Sequence, residues 1–206
     1  MKKQINMKKI ILAALILIFI GCNNDDENQV NNDYSYFLNL TQPQFRAKFN
    51  NTNLFWEFNV GTYQMSSAYL FPNGESEDPN RILRFVLNQE NGNNQFVITT
   101  PIYDTSSETE YNNVFGLGLK KIGDSNENYH ISIINNNTTH QICNSNANYK
   151  IEVLKTEEII FENPNPNILK VWFKIDNIEL NNCNSNSDYK LNDGLLIAHF
   201  IGYKSE

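Results

Sequence analysis

Apolar residues recur at every second position through most of this chain, and that period dictates strands. In LFWEFNV (54–60), Leu54, Trp56, Phe58 and Val60 share one face, while Glu57 and Asn59 share the other. QFRAKF sets Phe45, Ala47 and Phe49 against Arg46 and Lys48. The same alternation aligns Leu83, Phe85 and Leu87, then Tyr129, Ile131 and Ile133, then Leu169, Val171, Phe173 and Ile175. A side-chain period of two is the geometry of a pleated strand with one buried face. GLLIAHFIGY (194–203) is apolar on both faces, as a central strand must be. Turn chemistry separates the runs, at Pro72-Asn73-Gly74, Asn91-Gly92-Asn93, Gly123-Asp124-Ser125 and Asn163-Pro164-Asn165-Pro166. Past the N-terminal leader, no stretch holds helical periodicity through three turns. The expectation is an all-β fold, an antiparallel β-sandwich or a partly open barrel, spanning 34–206 as one domain.

The N-terminus follows a different rule. Lys2, Lys3, Lys8 and Lys9 precede an unbroken apolar run from Ile10 to Ile20, then Gly21 and Cys22. At 1.5 Å per residue the run reaches only about 16 Å, against a hydrocarbon core about 30 Å thick. It is too short to span. A basic start, a run of this size and a small residue at the cut read as a secretory signal peptide over 1–21. Its removal takes four lysines and no acids, moving the formal charge from −7 to −11. Phosphate-backbone binding needs clustered Lys and Arg, so this balance argues against nucleic acid as a partner.

Phe19-Ile20-Gly21-Cys22 resembles the bacterial lipobox, with Phe19 where Leu is usual. The resemblance implies that Cys22 is acylated and becomes the mature N-terminus. Several acyl chains, at about 0.8 kcal/mol per buried CH₂, would make the anchor permanent. The following Asn23-Asn24-Asp25-Asp26-Glu27 resembles the acidic export signal of Bacteroidota lipoproteins, which marks them for the outer face of the outer membrane. Asp25, Asp26 and Glu27 would carry that address, within a flexible linker over 22–33. A solvated acidic linker alone is the simpler reading of the same residues.

Farther on, FRAKFNNTNLFW is similar to the F-x-A-x-(I/D)-G-x-x-W opening of small Bacteroidota lipoproteins of unknown function. Leu191-Asn192-Asp193-Gly194-Leu195-Leu196 looks like the (I/T)-x-(D/N)-G-x-F strand near that family's end. This chain departs by two extra residues before Trp56, no glycine in the first turn, and Leu196 in place of Phe. The resemblance implies a sandwich-like lipoprotein and assigns no catalytic residue.

With Cys22 committed to lipid, Cys143 and Cys183 remain, in the matching contexts CNSNANYKI and CNSNSDYKL. If the segment Ile168–Ile175 runs between the strands starting at Tyr149 and Tyr189, both cysteines lie at one end of the sheet. A disulfide there would close a loop of about 40 residues and contribute about 4 kcal/mol on the chain-entropy model. Two free thiols are the alternative.

No motif carries chemistry, and the expectation is no catalytic residue, no metal and no cofactor. His130 sits on a polar strand face, His140 in an Asn/Thr loop, and His199 on a face with Leu195, Ile197 and Ile201. None has the spacing of a zinc site. Gly116 and Gly118 in VFGLGLKK suggest a bend or close strand packing. Asp124–Asn128 imitates half a calcium loop, but Tyr129 replaces its glycine and Asn135 its final glutamate. Glu75, Glu77 and Asp78, or Glu108 and Glu110, would be the acids of a polysaccharide hydrolase, yet they fall in Ser/Asn-rich turns. Tyr63, Tyr69, Tyr103 and Tyr111 lie near turns, where exposed rings would stack on sugars. The leading expectation is a lipid-anchored binding module for a glycan or an envelope protein. A structural subunit of an envelope complex is a further alternative, and would show an exposed apolar patch.

Overall fold

A computed structural model describes residues 35–74, 78–143, 148–161, 166–183 and 188–204. The readings at Cys22, Asp25, Asp26, Glu27, Glu75 and Glu77 lie outside them. The chain divides into two compact units, Met1–Leu40 and Thr41–Glu206. In the first, residues 35–39 are helical.

Among the described residues, the second unit holds thirteen strands and one helix: β1 (Gln44–Phe49), β2 (Thr52–Glu57), β3 (Tyr63–Leu70), β4 (Asn80–Gln89), β5 (Gln95–Thr99), β6 (Tyr103–Asp104), α1 (Glu108–Phe115), β7 (Gly118–Ile122), β8 (His130–Asn135), β9 (Thr138–Gln141), β10 (Tyr149–Ile159), β11 (Ile168–Ile175), β12 (Ile178–Asn181) and β13 (Asp188–Ile201). All the strand ladders are antiparallel, and the fold is all-β and sandwich-like. One layer runs β3-β4-β5-β8-β9. The other is built on β13, which pairs with β1, β11 and β12, extending to β2 on one side and through β10 to β7 on the other. A single residue pair, Gln141 with Asn181, links β9 to β12 and so joins the two layers into one unclosed sheet.

The core lies between the layers because each strand turns its alternate apolar residues inward. Phe45 on β1 stacks on Phe96 of β5 at 4.2 Å between ring centroids, and Phe85 on β4 meets Phe200 of β13 at 6.3 Å. Leu83, Phe85, Leu87, Ile131, Ile133, Leu169, Val171 and Phe173 are all fully buried there. β13 is central, as its two apolar faces require. Inward of it lie Leu196, Ala198 and Phe200, while Ile197 on the opposite face is also fully buried.

Three local expectations change. The alternation of β2 does not reach Val60: Asn59 adopts φ +63° and turns the chain, leaving Val60 51% exposed. The segment holding Glu108 and Glu110 is helix α1, not a turn. Ser107 caps it by accepting from the Glu110 amide at 3.3 Å, and Lys120 Nζ donates to the last carbonyls, Asn112 and Asn113. Three residues after the helix ends at Phe115, Gly118 takes φ +107°, a conformation that favours glycine, and starts β7. His140, read as a loop residue, lies on β9 and is buried against the rings of Phe49 and Tyr189, which also stack on each other.

Candidate functional site

The β3–β4 hairpin builds the most ligand-like surface. Its turn closes with the Gly74 amide donating to the Phe71 carbonyl at 3.1 Å, and Gly74 supplies the φ of +76° that the turn needs. The hairpin register sets Tyr69 opposite Leu83 and Leu70 opposite Ile82, so Arg81 comes up beside the aromatic end of β3. Tyr69 meets Phe71 edge-on, 5.5 Å between centroids at 87°. The Arg81 guanidinium lies 4.2 Å from the Phe71 centroid and 5.6 Å from that of Tyr69. Behind the Tyr69 ring is Gly202, where an added Cβ would stand 2.5 Å from Cδ1. Only a glycine lets the ring lie this close to the end of β13. The Ile201 amide donates to Ser67 Oγ at 3.1 Å and holds the two elements together. Tyr69 is thereby backed by main chain yet remains 43% exposed.

A polar cluster at the same end of the hairpin is tied to the rings through Arg81. Asp78 Oδ1 accepts from the Asn80 backbone amide at 2.8 Å and from Asn80 Nδ2 at 2.7 Å. Its Oδ2 accepts from Asn73 Nδ2 at 2.7 Å. Arg81 Nη1 donates to the carbonyls of Asp78 and Asn80. The bond from the Asn80 amide, then that from its side chain, hold the Asp78 carboxyl below its ordinary value, so it is ionised at neutral pH.

The other tyrosines named from the sequence are not equivalent to Tyr69. Tyr103 is a correction: it is 1% exposed, and its hydroxyl donates to the Tyr203 carbonyl at 2.7 Å. Burial holds its phenol far above the usual range. Tyr63 is half-buried and stacks on Trp56 at 5.8 Å. Tyr111 is half-buried, donates to Glu158 Oε1 at 3.2 Å, and lies under Lys204, which bonds the same oxygen at 2.7 Å.

The remaining named residues are held by local structure. Cys143 and Cys183 are joined by a disulfide, with their Cα atoms 5.7 Å apart, and β11 does run between β10 and β13. His130 Nδ1 sits 3.3 Å from the Gly123 carbonyl. In the Asp124–Asn128 loop, Ser125 Oγ accepts from the Glu127 amide and from Asn128 Nδ2, a turn organised around a hydroxyl. Glu110 accepts from the Asp104 amide at 2.7 Å. Among the described residues, no group of three or more His, Cys, Asp or Glu is placed to hold a metal ion.

Sequence reasoning found Tyr69 but missed Phe71, Arg81 and Gly202. Phe71 follows Tyr69 at strand spacing, which was a usable signal. Gly202 carried none, because its contact with Tyr69 joins positions far apart in the chain. The fold and this surface define a class, an all-β antiparallel sandwich-like protein with an exposed aromatic platform at one hairpin. No family model matches the chain, and no curated protein or solved structure matches it significantly.

Proposed function

We propose that this chain is a lipoprotein anchored through Cys22, displayed on the outer face of the outer membrane, whose sandwich is a non-enzymatic binding module for a glycan or an envelope protein. The anchor rests on the apolar run ending in Gly21-Cys22, and the address on Asp25, Asp26 and Glu27. Hydrolysis through Asp78, Asp104 or Glu157 as general acid is disfavoured by the ionised state of those three carboxyls. A glycosidase acid needs its carboxyl held protonated near neutral pH. Asp78 and Asp104 are both lowered by hydrogen bonds, from Asn80 and Ser106 respectively. Burial acts to raise Glu157, but Lys155 and Lys170 outweigh it and lower that carboxyl too. The observation that carries the binding reading is the exposed Tyr69 ring, supported from behind at the same hairpin end as a partnered polar cluster.

A second reading, a structural subunit of an envelope complex, draws on Leu117 and Leu119, which are 69% and 63% exposed beside and on β7.

The anchor is tested by growing cells on radiolabelled palmitate with the native chain and with Cys22→Ser. The native protein is expected to take up label and sediment with membranes, and Cys22→Ser to do neither. Equal membrane retention of an unlabelled Cys22→Ser protein would refute lipid anchoring.

A further inference from the structure

We infer that the free edge of β7 is a strand-addition site for an extended, acid-bearing arm of a partner protein, which pairs with the main chain at Leu119 and sets a carboxylate beside Lys121 and Lys150. This rests on the envelope-protein form of the binding-module reading above and names the partner's chemistry.

The main chain comes first. Among the described residues β7 ends the sheet order, and its strand ladder is with β10. On the other edge, Tyr129 covers only the far end: its amide donates to the Lys121 carbonyl at 3.0 Å, and the Gly123 amide donates to its carbonyl at 2.9 Å. In an antiparallel ladder, successive residues turn their N–H and C=O alternately toward the partner strand and away from it. The outward turn at Lys121 therefore fixes the same turn at Leu119. Among the described residues nothing bonds the Leu119 amide or carbonyl on that side. An edge with open donors and acceptors is the surface on which an extended peptide adds a strand.

Side chains then narrow the occupant. Leu119 is 63% exposed on the outer face of β7, and Leu117, just before the strand, is 69% exposed. Lys121 shares that face and lies opposite Lys150 of β10, both exposed. Among the described residues neither lysine has an ion-pair partner. Like charges directly opposite are destabilising, and a carboxylate beside them relieves the repulsion. Next to Leu119 stands Glu152, which is itself opposite Lys174 of β11, so that position calls for an apolar neighbour. The arm thus carries an acid opposite Lys121 and, two residues along on the same face, an apolar side chain opposite Leu119.

A second copy of this chain does not meet that requirement. Pairing β7 with itself keeps outer-face residues opposite outer-face residues. Opposite Lys121 would then stand Leu117, Leu119 or Lys121 of the other copy, never a carboxylate. Lysine on an edge strand is a device against such edge-to-edge pairing. The same lysines admit an arm that brings its own acid.

The test is fluorescence anisotropy of labelled, end-capped peptides with the full-length protein in detergent. The probe Thr-Glu-Thr-Val-Thr-Val-Thr, laid antiparallel, sets its glutamate against Lys121 and a valine against Leu119. It is expected to bind, and its analogue with lysine for glutamate to bind roughly tenfold or more weakly. Lys121→Glu is expected to reverse that preference, a gain that lost folding cannot produce. Leu119→Pro removes the outward amide and no bond to β10, so it should lose roughly tenfold or more in affinity, with circular dichroism confirming its fold. Phe55→Ala, on the edge strand β2 at the other side of the layer, should leave binding unaltered. Hydrogen exchange is expected to show the Leu119 amide protected only in the complex. No binding of the acidic probe up to about 1 mM, equal binding of the lysine analogue, or an unprotected Leu119 amide would each overturn the assignment. A dimer of the native protein that Leu119→Pro dissolves would give the edge to a second copy and overturn it too. If the probe fails while the protein is shown to be surface-displayed, this edge falls and the binding-module reading keeps its glycan form. If the probe binds through β7 but the protein is not on the surface, the edge stands and the location falls.

Discussion

His199 projects from β13 on the face opposite the core, 9% exposed, with Nε2 3.1 Å from the Thr41 carbonyl. Burial lowers its pKa from the ordinary 6.5 to about 4; the Thr41 bond and Glu157 pull the other way, and Lys170 adds to the depression. The neutral imidazole is therefore the folded form. Below about pH 6.5 the unfolded chain takes up a proton that the folded chain refuses. The stabilisation is complete above that pH and is lost progressively as the pH falls to about 4, amounting to about 3 kcal/mol across the window. Burial lowers His140 as well, with the same sign. Urea melts at pH 7 and pH 4.5 are expected to show the native protein losing more stability than His199→Gln. A pH dependence unchanged by His199→Gln would contradict this assignment. The sequence placed His199 among apolar neighbours on a strand, and that much was legible. Its partner Thr41 was not, because the two come together only when β1 docks beside β13.

At the scale of elements, the strand pairing that joins the two layers, β9 with β12, is thin, resting on the one pair Gln141–Asn181. Cys143 and Cys183 each stand two residues beyond that pair, and Gln141 Nε2 donates to Cys183 Sγ at 3.1 Å. The disulfide closes a 40-residue separation, for which chain entropy gives about 4 kcal/mol. Reduction by a small dithiol is expected to raise hydrogen exchange in β9 and β12 first, while β11 and the centre of β13 keep their protection. Uniform loss across all strands would contradict a local role for the bridge. Long strands were readable because three or four alternating positions repeat the same signal. β9 was not: its four residues, Thr-Thr-His-Gln, bury only His140, so no apolar alternation marks them. β6 was equally silent. Tyr103 sits close to Pro101, which reads as a turn, yet its hydroxyl reaches the carbonyl of a residue 100 positions away. Helix α1, eight residues long, is too short to declare a period.

For the whole molecule, the period of two was enough to specify an all-β antiparallel fold, but strand order was beyond it. Order depends on which faces meet, as when Phe45 finds Phe96 and Phe85 finds Phe200, and each apolar strand offers similar faces to every other. The pairing of β11 with both β10 and β13 was the exception, since placing it between them would bring two matching cysteine contexts to one end. Under the proposed function, Cys22 anchors this domain and Asp25, Asp26 and Glu27 direct it to the surface. A binding module for surface glycans must be outside the cell envelope to meet them. Protease treatment of intact cells tests that most directly, comparing the native protein with one carrying Ala in place of Asp25, Asp26 and Glu27. The account predicts that the native protein is shaved from the cells, while the substituted protein stays membrane-bound and protected. Protection of both, with membrane attachment intact, would contradict surface display.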